Sequence, residues 1–119
     1  MPRIYIVEDD PKFAYALSSL LKKHGYDVTS GVTAIEAFRE LSTEKYSLIL
    51  ADLQLPDVSG ISLVRWLRSS SVNDQTPVIA VSGHPEKRGY AIQAGFQMFI
   101  VKPPDPDMLL AVIKDWVGE

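Results

Sequence analysis

Ser47-Leu48-Ile49-Leu50-Ala51-Asp52-Leu53-Gln54-Leu55-Pro56-Asp57-Val58-Ser59-Gly60 is the stretch on which the fold turns. Its apolar start is rich in branched residues and too short for a helix. It stops on a carboxylate, with Pro56 and Gly60 four and eight residues further on. That is the pattern of a buried strand delivering Asp52 into a loop. At the end of such a strand a side chain is held by the core behind it and open to ligand in front, which makes Asp52 the candidate reactive group.

Upstream, Ile4-Tyr5-Ile6-Val7 repeats the pattern, an apolar run ended by Glu8-Asp9-Asp10. Asp10-Pro11 then opens a helix, with Asp as its cap and Pro at its first position. Phe13, Ala14, Leu17, Leu20 and Leu21 follow at helical spacing up to Gly25. Tyr26-Asp27-Val28-Thr29 alternates in polarity and reads as an edge strand. A second helix is predicted over Thr33 to Leu41, with Ile35, Ala37, Phe38 and Leu41 facing inward.

Downstream, Ser59-Gly60 introduces a helix carrying Ile61, Leu63, Val64 and Leu67, predicted to fray into Ser69-Ser70-Ser71. Pro77-Val78-Ile79-Ala80-Val81 is the fourth strand, closed by Ser82-Gly83. The helix predicted from Pro85 to Ala94 is the weakest, because Gly89 inside it costs about 1 kcal/mol against Ala and few of its residues are strongly apolar. It is therefore the element expected to move most easily. Met98-Phe99-Ile100-Val101 is the fifth strand, ended by Lys102-Pro103-Pro104. A last helix runs from about Asp105 to Val117, burying Leu109, Leu110, Ile113 and either Trp116 or Val117.

Strand and helix alternate without repeat, linker or low-complexity tract. Five such units in 119 residues imply a single domain of the α/β class, with a parallel sheet, right-handed crossovers and helices on both faces. In that architecture all strands end on one edge of the sheet. Glu8 and Asp9, Asp52, Ser82 and Lys102 each follow a different apolar strand, so the fold gathers them onto one rim.

Composition narrows the function. Hydrophobic residues at 46% and charged residues at 23% are those of an ordinary globular domain, not a disordered or fibrous one. With 12 basic against 15 acidic residues the net charge is -3, which provides no broad cationic face and argues against direct nucleic-acid binding. The absence of cysteine rules out disulfides and thiolate metal sites. No apolar stretch approaches membrane-spanning length and the N-terminus has no signal-peptide core, so a cytoplasmic location without membrane contact is the default expectation.

Three carboxylates on one rim repel one another, and each resists ionisation until a cation arrives. A hard, oxygen-seeking divalent ion meets that need. Mg2+ takes one or two carboxylates with waters and a phosphate, which Asp9, Asp52, a backbone carbonyl beyond Asp52 and an incoming phosphoryl group can supply; Mn2+ is the alternative ion. Lys102 adds a compact positive charge and Ser82 a hydroxyl. These are the groups needed to stabilise the equatorial oxygens of a transferring phosphoryl group, with Asp52 as nucleophile. Singly, each also fits a helix cap or turn, and Asp10 is expected to be only a cap.

Taken together, Val7-Glu8-Asp9-Asp10-Pro11, the stretch from Asp52 to Gly60, Pro77 to Gly83 and Phe99-Ile100-Val101-Lys102-Pro103 closely resemble the receiver domain of two-component response regulators, the fold shared with the bacterial chemotaxis regulator. The resemblance covers residues 1–119. It implies a flavodoxin-like, doubly wound, five-stranded sheet in the order 2-1-3-4-5 with five flanking helices, which sets the Asp9 and Asp52 strands side by side at the switch point. By the same resemblance Asp52 is the phosphoacceptor, loaded from a histidine of a sensor kinase or phosphotransfer protein. Glu8 and Asp9 are the metal-binding acidic pair, and the main-chain carbonyl of Gln54 completes the metal site. Ser82 is the hydroxyl residue that moves toward the phosphoryl group, Lys102 is the lysine that pairs with it, and Phe99 is the aromatic switch. A cis peptide is implied at Lys102-Pro103.

Some expectations are particular to this chain. Phe99 lacks a hydroxyl, so its switching is driven by packing alone. Gln54 and His84, two residues beyond Asp52 and Ser82, are expected to flank the path of attacking water and tune the lifetime of the acyl phosphate; the alternative is that both are merely solvated. Gly83 should leave the phosphoryl group accessible. Gln97, Met98, Met108 and Val112 stand where members that dimerise through charged pairs carry charge. Met98, Met108, Ala111 and Val112, if exposed together, form an apolar patch for a protein partner or a hydrophobic homodimer; helix rotation would instead bury most of them. A phosphatase with an Asp nucleophile is the enzyme-class rival, but it needs a second acid at the position of Gln54. A binding-only receiver is the third reading, and the intact acidic pair, acceptor, hydroxyl and lysine speak against it. No further domain follows Trp116 in this sequence, so the readout is expected to be a surface that binds a downstream protein or output domain.

Overall fold

The computed structural model describes residues 1–118. Five strands, β1 (Arg3–Val7), β2 (Asp27–Gly31), β3 (Leu48–Ala51), β4 (Val78–Ser82) and β5 (Met98–Val101), form one parallel sheet in the order β2-β1-β3-β4-β5. Five helices, α1 (Pro11–Lys23), α2 (Ala34–Leu41), α3 (Gly60–Ser70), α4 (Arg88–Ala94) and α5 (Pro106–Val117), cover its faces. The fold is the expected flavodoxin-like one.

Alternation along the strands divides the core in two. Tyr5, Val7, Ile49, Ala51, Ala80 and Phe99 face α2, α3 and α4, whose Ala37, Leu41, Leu63, Val64, Leu67 and Ala91 complete that layer. Ile4, Ile6, Leu48, Leu50, Ile79, Val81 and Ile100 face α1 and α5, meeting Leu17, Leu21, Leu109 and Ile113. All four residues of β3 are buried, so Asp52 leaves a strand clamped on both faces.

The helix starts follow the sequence closely. Asp10, Thr33, Ser59 and Asp105 cap α1, α2, α3 and α5, each side chain accepting a backbone N–H from two or three residues on. Several expectations need correction. Ile35 is 49% exposed; the buried face of α2 is Ala34, Ala37 and Leu41, and one residue's rotation from Ala34 turns Ile35 to solvent. The end of α3 does not fray into a free serine tract. Ser71 is buried and its hydroxyl donates to the Leu41 carbonyl at 2.8 Å. Strand β2 starts after Tyr26, which is buried, and extends to Gly31. The predicted fourth helix is a 3-10 turn, Pro85–Lys87, followed by the seven-residue α4. At the end of α5, Val117 packs inward and Trp116 is 38% exposed. The four-residue apolar patch does not form as a unit, because Met98 and Val112 pack against the α1 and α5 core layer while Met108 is exposed.

The strands' starting edge is closed by polar contacts that the sequence reading did not foresee. Buried Asn73 accepts from the Tyr46 N–H at 2.8 Å and donates to the carbonyls of Leu41 and Glu44, both at 2.8 Å. Thr76 donates to Asn73 at 3.0 Å. Arg68 reaches from α3 to the carbonyls of Gly95 and Thr76 and to Gln97, whose side-chain oxygen also accepts from the Val78 N–H at 2.7 Å. No buried side-chain polar atom among the described residues lacks a partner.

Candidate functional site

Parallel pairing of β1 with β3 sets Val7 beside Ala51, and the Asp52 N–H donates to the Val7 carbonyl at 3.0 Å. The acidic residues that follow these two strands are thereby brought together. Glu8, Asp9 and Asp52 each offer a carboxylate oxygen, and the three oxygens lie within 4.8 Å of one another. Glu8 and Asp52 are buried, while Asp9 is exposed on the solvent side. At the far end of the sheet, β5 pairs with β4 and the Lys102 N–H donates to the Ser82 carbonyl at 2.9 Å. The Lys102-Pro103 bond is cis, as expected. Its ammonium donates to Glu8 Oε1 at 2.7 Å and Asp52 Oδ2 at 3.1 Å.

Burial raises the Glu8 carboxyl above its ordinary pKa, and the donors at Lys102 and the Asp10 N–H only partly offset it; the Asp52 charge adds to the rise. Lys102 is more exposed. Desolvation acts against its charge, but the hydrogen bonds to Glu8 and Asp52 outweigh that and raise its pKa, so the ammonium stays protonated. An acidic cluster held by a single cation has an oxygen donor set suited to a hard divalent ion.

Asp52 is held from behind. Gly60 N–H donates to the Leu53 carbonyl at 2.8 Å, and a Cβ at Gly60 would collide with the Asp52 carbonyl oxygen and come within 2.9 Å of Leu53 Cα. Only glycine permits this approach. The same loop is tied sideways by Asp57, whose carboxylate accepts from the N–H groups of Ala34 and Ile35, both at 2.9 Å, at the start of α2. The Asp52 side chain itself accepts from the Gln54 N–H at 3.3 Å.

Ser82 is fully buried, and its Oγ accepts from the His84 N–H at 3.1 Å. No hydrogen bond among the described residues joins its hydroxyl to the side chain of Asp52 or Lys102. Phe99 is buried in the α2, α3 and α4 core layer, with the Arg88 guanidinium 5.5 Å from its ring centroid. Gln54 is exposed and His84 half-buried, and the two side chains meet, His84 Nε2 lying 3.1 Å from Gln54 Oε1. A Cβ at Gly83 would meet nothing within 4 Å.

The structure thus brings Glu8, Asp9, Asp52 and Lys102 into one cluster and sets Gln54 and His84 together beside it, with Ser82 and Phe99 behind. Three neighbours escaped sequence reading. Asp57 looked like an ordinary loop acid, Arg88 an ordinary helix charge, and Phe13 a core residue; Phe13 packs its ring 4.5 Å from the Lys102 nitrogen. An apolar groove beside the rim, lined by Phe13, Leu20, Pro103, Pro104 and Leu109 among others, carries no titratable group and is not the centre of the chemistry.

Comparison with known proteins agrees with this geometry. Residues 4–114 match the family described as the response regulator receiver domain. The chain is 30% identical over 122 residues to the polar-differentiation response regulator DivK of Brucella anthropi, covering 100% of this chain and 99% of DivK. It is 30% identical over 118 residues to the CAI-1 autoinducer sensor kinase/phosphatase CqsS of Vibrio cholerae, covering 97% of this chain but only 17% of CqsS. Among solved structures, the receiver domain of the sensor histidine kinase PA1611 from Pseudomonas aeruginosa, with magnesium coordinated in its active-site cleft, superposes with a TM-score of 0.92 at 29% identity over 99% of this chain and 98% of that one. No helix among the described residues is long and apolar enough to cross a membrane. With the sheet order, the family match and the relatives in agreement, the chain belongs to the response regulator receiver domains of two-component signalling.

Proposed function

We propose that the protein is a phosphorylation-dependent switch in which Asp52 takes a phosphoryl group from a phosphohistidine of a sensor kinase or phosphotransfer protein. The histidine N–P bond breaks as an Asp52 carboxylate oxygen forms the new O–P bond. The reading is carried by one observation, the three carboxylate oxygens within 4.8 Å of one another with the Lys102 ammonium bonded to two of the three residues. Glu8, Asp9 and Asp52, with the Gln54 main-chain carbonyl, would hold Mg2+, or Mn2+ in its place. The bound ion supplies charge neutralisation for the transferring oxygens.

The protein's own groups do the rest. Asp52 is the nucleophile and Lys102 stays with its oxygens as charge develops. Ser82 offers its hydroxyl once it leaves the His84 N–H, and Phe99 moves with it as the switch. Gln54 and His84, already hydrogen-bonded to each other, flank the approach of water and set the rate of self-catalysed dephosphorylation. The output face is α4, β5 and α5, on which Tyr90, Ile92, Val101 and Met108 are exposed; a downstream protein, an output domain or a second copy of the chain would read it. The protein is not a turnover enzyme in this reading, and its site of action is the cytoplasm.

Acetyl phosphate with Mg2+ tests the proposal without a kinase. The intact chain is expected to gain one phosphate by mass spectrometry, and Asp52→Asn to gain none. A wild-type chain that gains nothing, or an Asp52→Asn variant that gains as much, rules the reading out.

A further inference from the structure

The Lys102 ammonium has three partners among the described residues. Two are the carboxylates of Glu8 and Asp52; the third is the face of Phe13, whose ring centroid lies 4.5 Å from Nζ. A lysine ammonium is a compact, strongly hydrated charge on a flexible four-carbon stem, and two carboxylates alone do not fix the side from which it approaches them. An aromatic face attracts the cation through the ring's quadrupole, offers it no competing acceptor and keeps water off that side. The ring is itself held in place. Phe13 is the third residue of α1, one turn beyond the Asp10 cap, and it packs against the α1 and α5 core layer.

We propose that Phe13 is a positioning residue for phosphoryl transfer to Asp52, its ring face seating the Lys102 ammonium between Glu8 and Asp52. The inference rests on the reading of Asp52 as phosphoacceptor. Leucine at position 13 keeps apolar bulk for the core but has no π face, so the ammonium gains a water shell there and spends less time on the Asp52 oxygens. Tyrosine keeps the face and restores the seat.

The test uses the full chain with acetyl phosphate at saturating Mg2+, a small donor that needs no protein docking surface and leaves as acetate. Phe13→Leu is expected to gain phosphate about fivefold more slowly than the wild type, and Phe13→Tyr to come within about twofold of it, with thermal melts run alongside to show that both variants are folded. A second readout needs no phosphate at all. In proton–carbon NMR spectra the Lys102 ε-methylene protons should lie upfield of those of the other lysines in the wild type and Phe13→Tyr, through the ring current, and return to the common position in Phe13→Leu. Phosphorylation of Phe13→Leu at the wild-type rate, or Lys102 signals that show no ring-current displacement in the wild type, overturns the proposal. A wild-type chain that never gains phosphate defeats the reading of Asp52 instead, and the Lys102 spectrum still decides whether the ring seats the ammonium.

Discussion

Asp57 lies five residues beyond Asp52 and outside the acidic cluster, yet its carboxylate binds the β3-to-α3 loop to the first N–H groups of α2. Loss of hydration acts upward on its pKa. The backbone N–H groups of Ala34, Ile35 and Val58 outweigh that and hold it below the ordinary carboxylate value. A carboxylate shifted this way contributes stability that is present above its unfolded pKa and disappears as pH falls through its folded pKa. Asp57→Asn is therefore expected to melt at lower temperature than the wild type at neutral pH and to converge with it in strong acid. A melting difference that is the same at both pH values would mean that the charge has no part in the tie. From sequence, Asp57 could not be told from any other loop acid, because the partners that tie it to α2, the N–H groups of Ala34 and Ile35, lie more than twenty positions upstream, and backbone donors leave no mark on residue type. Asp52 was legible for the opposite reason: a short apolar run that stops on a carboxylate is a local pattern.

Among the elements, β3 and α3 set the position of Asp52 between them. They meet where Gly60 lies against the Asp52 carbonyl, so the helix start is in contact with the Asp52 backbone. Gly60→Ala forces one of them to move. Overpacking of this kind costs about 1–3 kcal/mol, to be read from urea unfolding, and the displaced Asp52 should accept phosphate from acetyl phosphate more slowly. Unchanged stability and rate would show that the loop yields without effect. The alternation of strand and helix was legible because periodicities of two and of about 3.6 residues are written directly into the order of apolar residues. Its finer errors have one source. The sequence points Ile35 inward and Ser71 into a frayed end, whereas a short helix rotates, and a polar residue is buried, according to partners that lie elsewhere in the chain; Ser71, for instance, bonds Leu41. The predicted fourth helix divides into the 3-10 turn Pro85–Lys87 and the short α4, and neither start has the side-chain cap bond that opens the other four helices, an absence the sequence does not show.

For the whole molecule, a divalent ion held by the cluster of Glu8, Asp9 and Asp52, as proposed, would be tied to folding. An ion that binds only the folded chain stabilises it by mass action, about 2.7 kcal/mol at a hundred times its dissociation constant. The melting temperature is accordingly expected to rise by several degrees on adding Mg2+, to fall back with EDTA, and to respond much less in Asp9→Asn; an equal response in that variant would remove Asp9 from the ion's ligands. The rim was readable in the linear sequence because four of the five strands, β1, β3, β4 and β5, end abruptly on a polar residue, whereas the opposite edge was not, since Asn73, Thr76 and Arg68 sit in turns and helix ends that resemble any surface segment. That hidden edge has a consequence of its own. Among the described residues no hydrogen bond or ion pair links Asn73, Thr76 or Arg68 to Glu8, Asp52 or Lys102, so they act as ballast, anchoring the sheet from below. Substitutions at the top can thus be made while the keel underneath stays untouched.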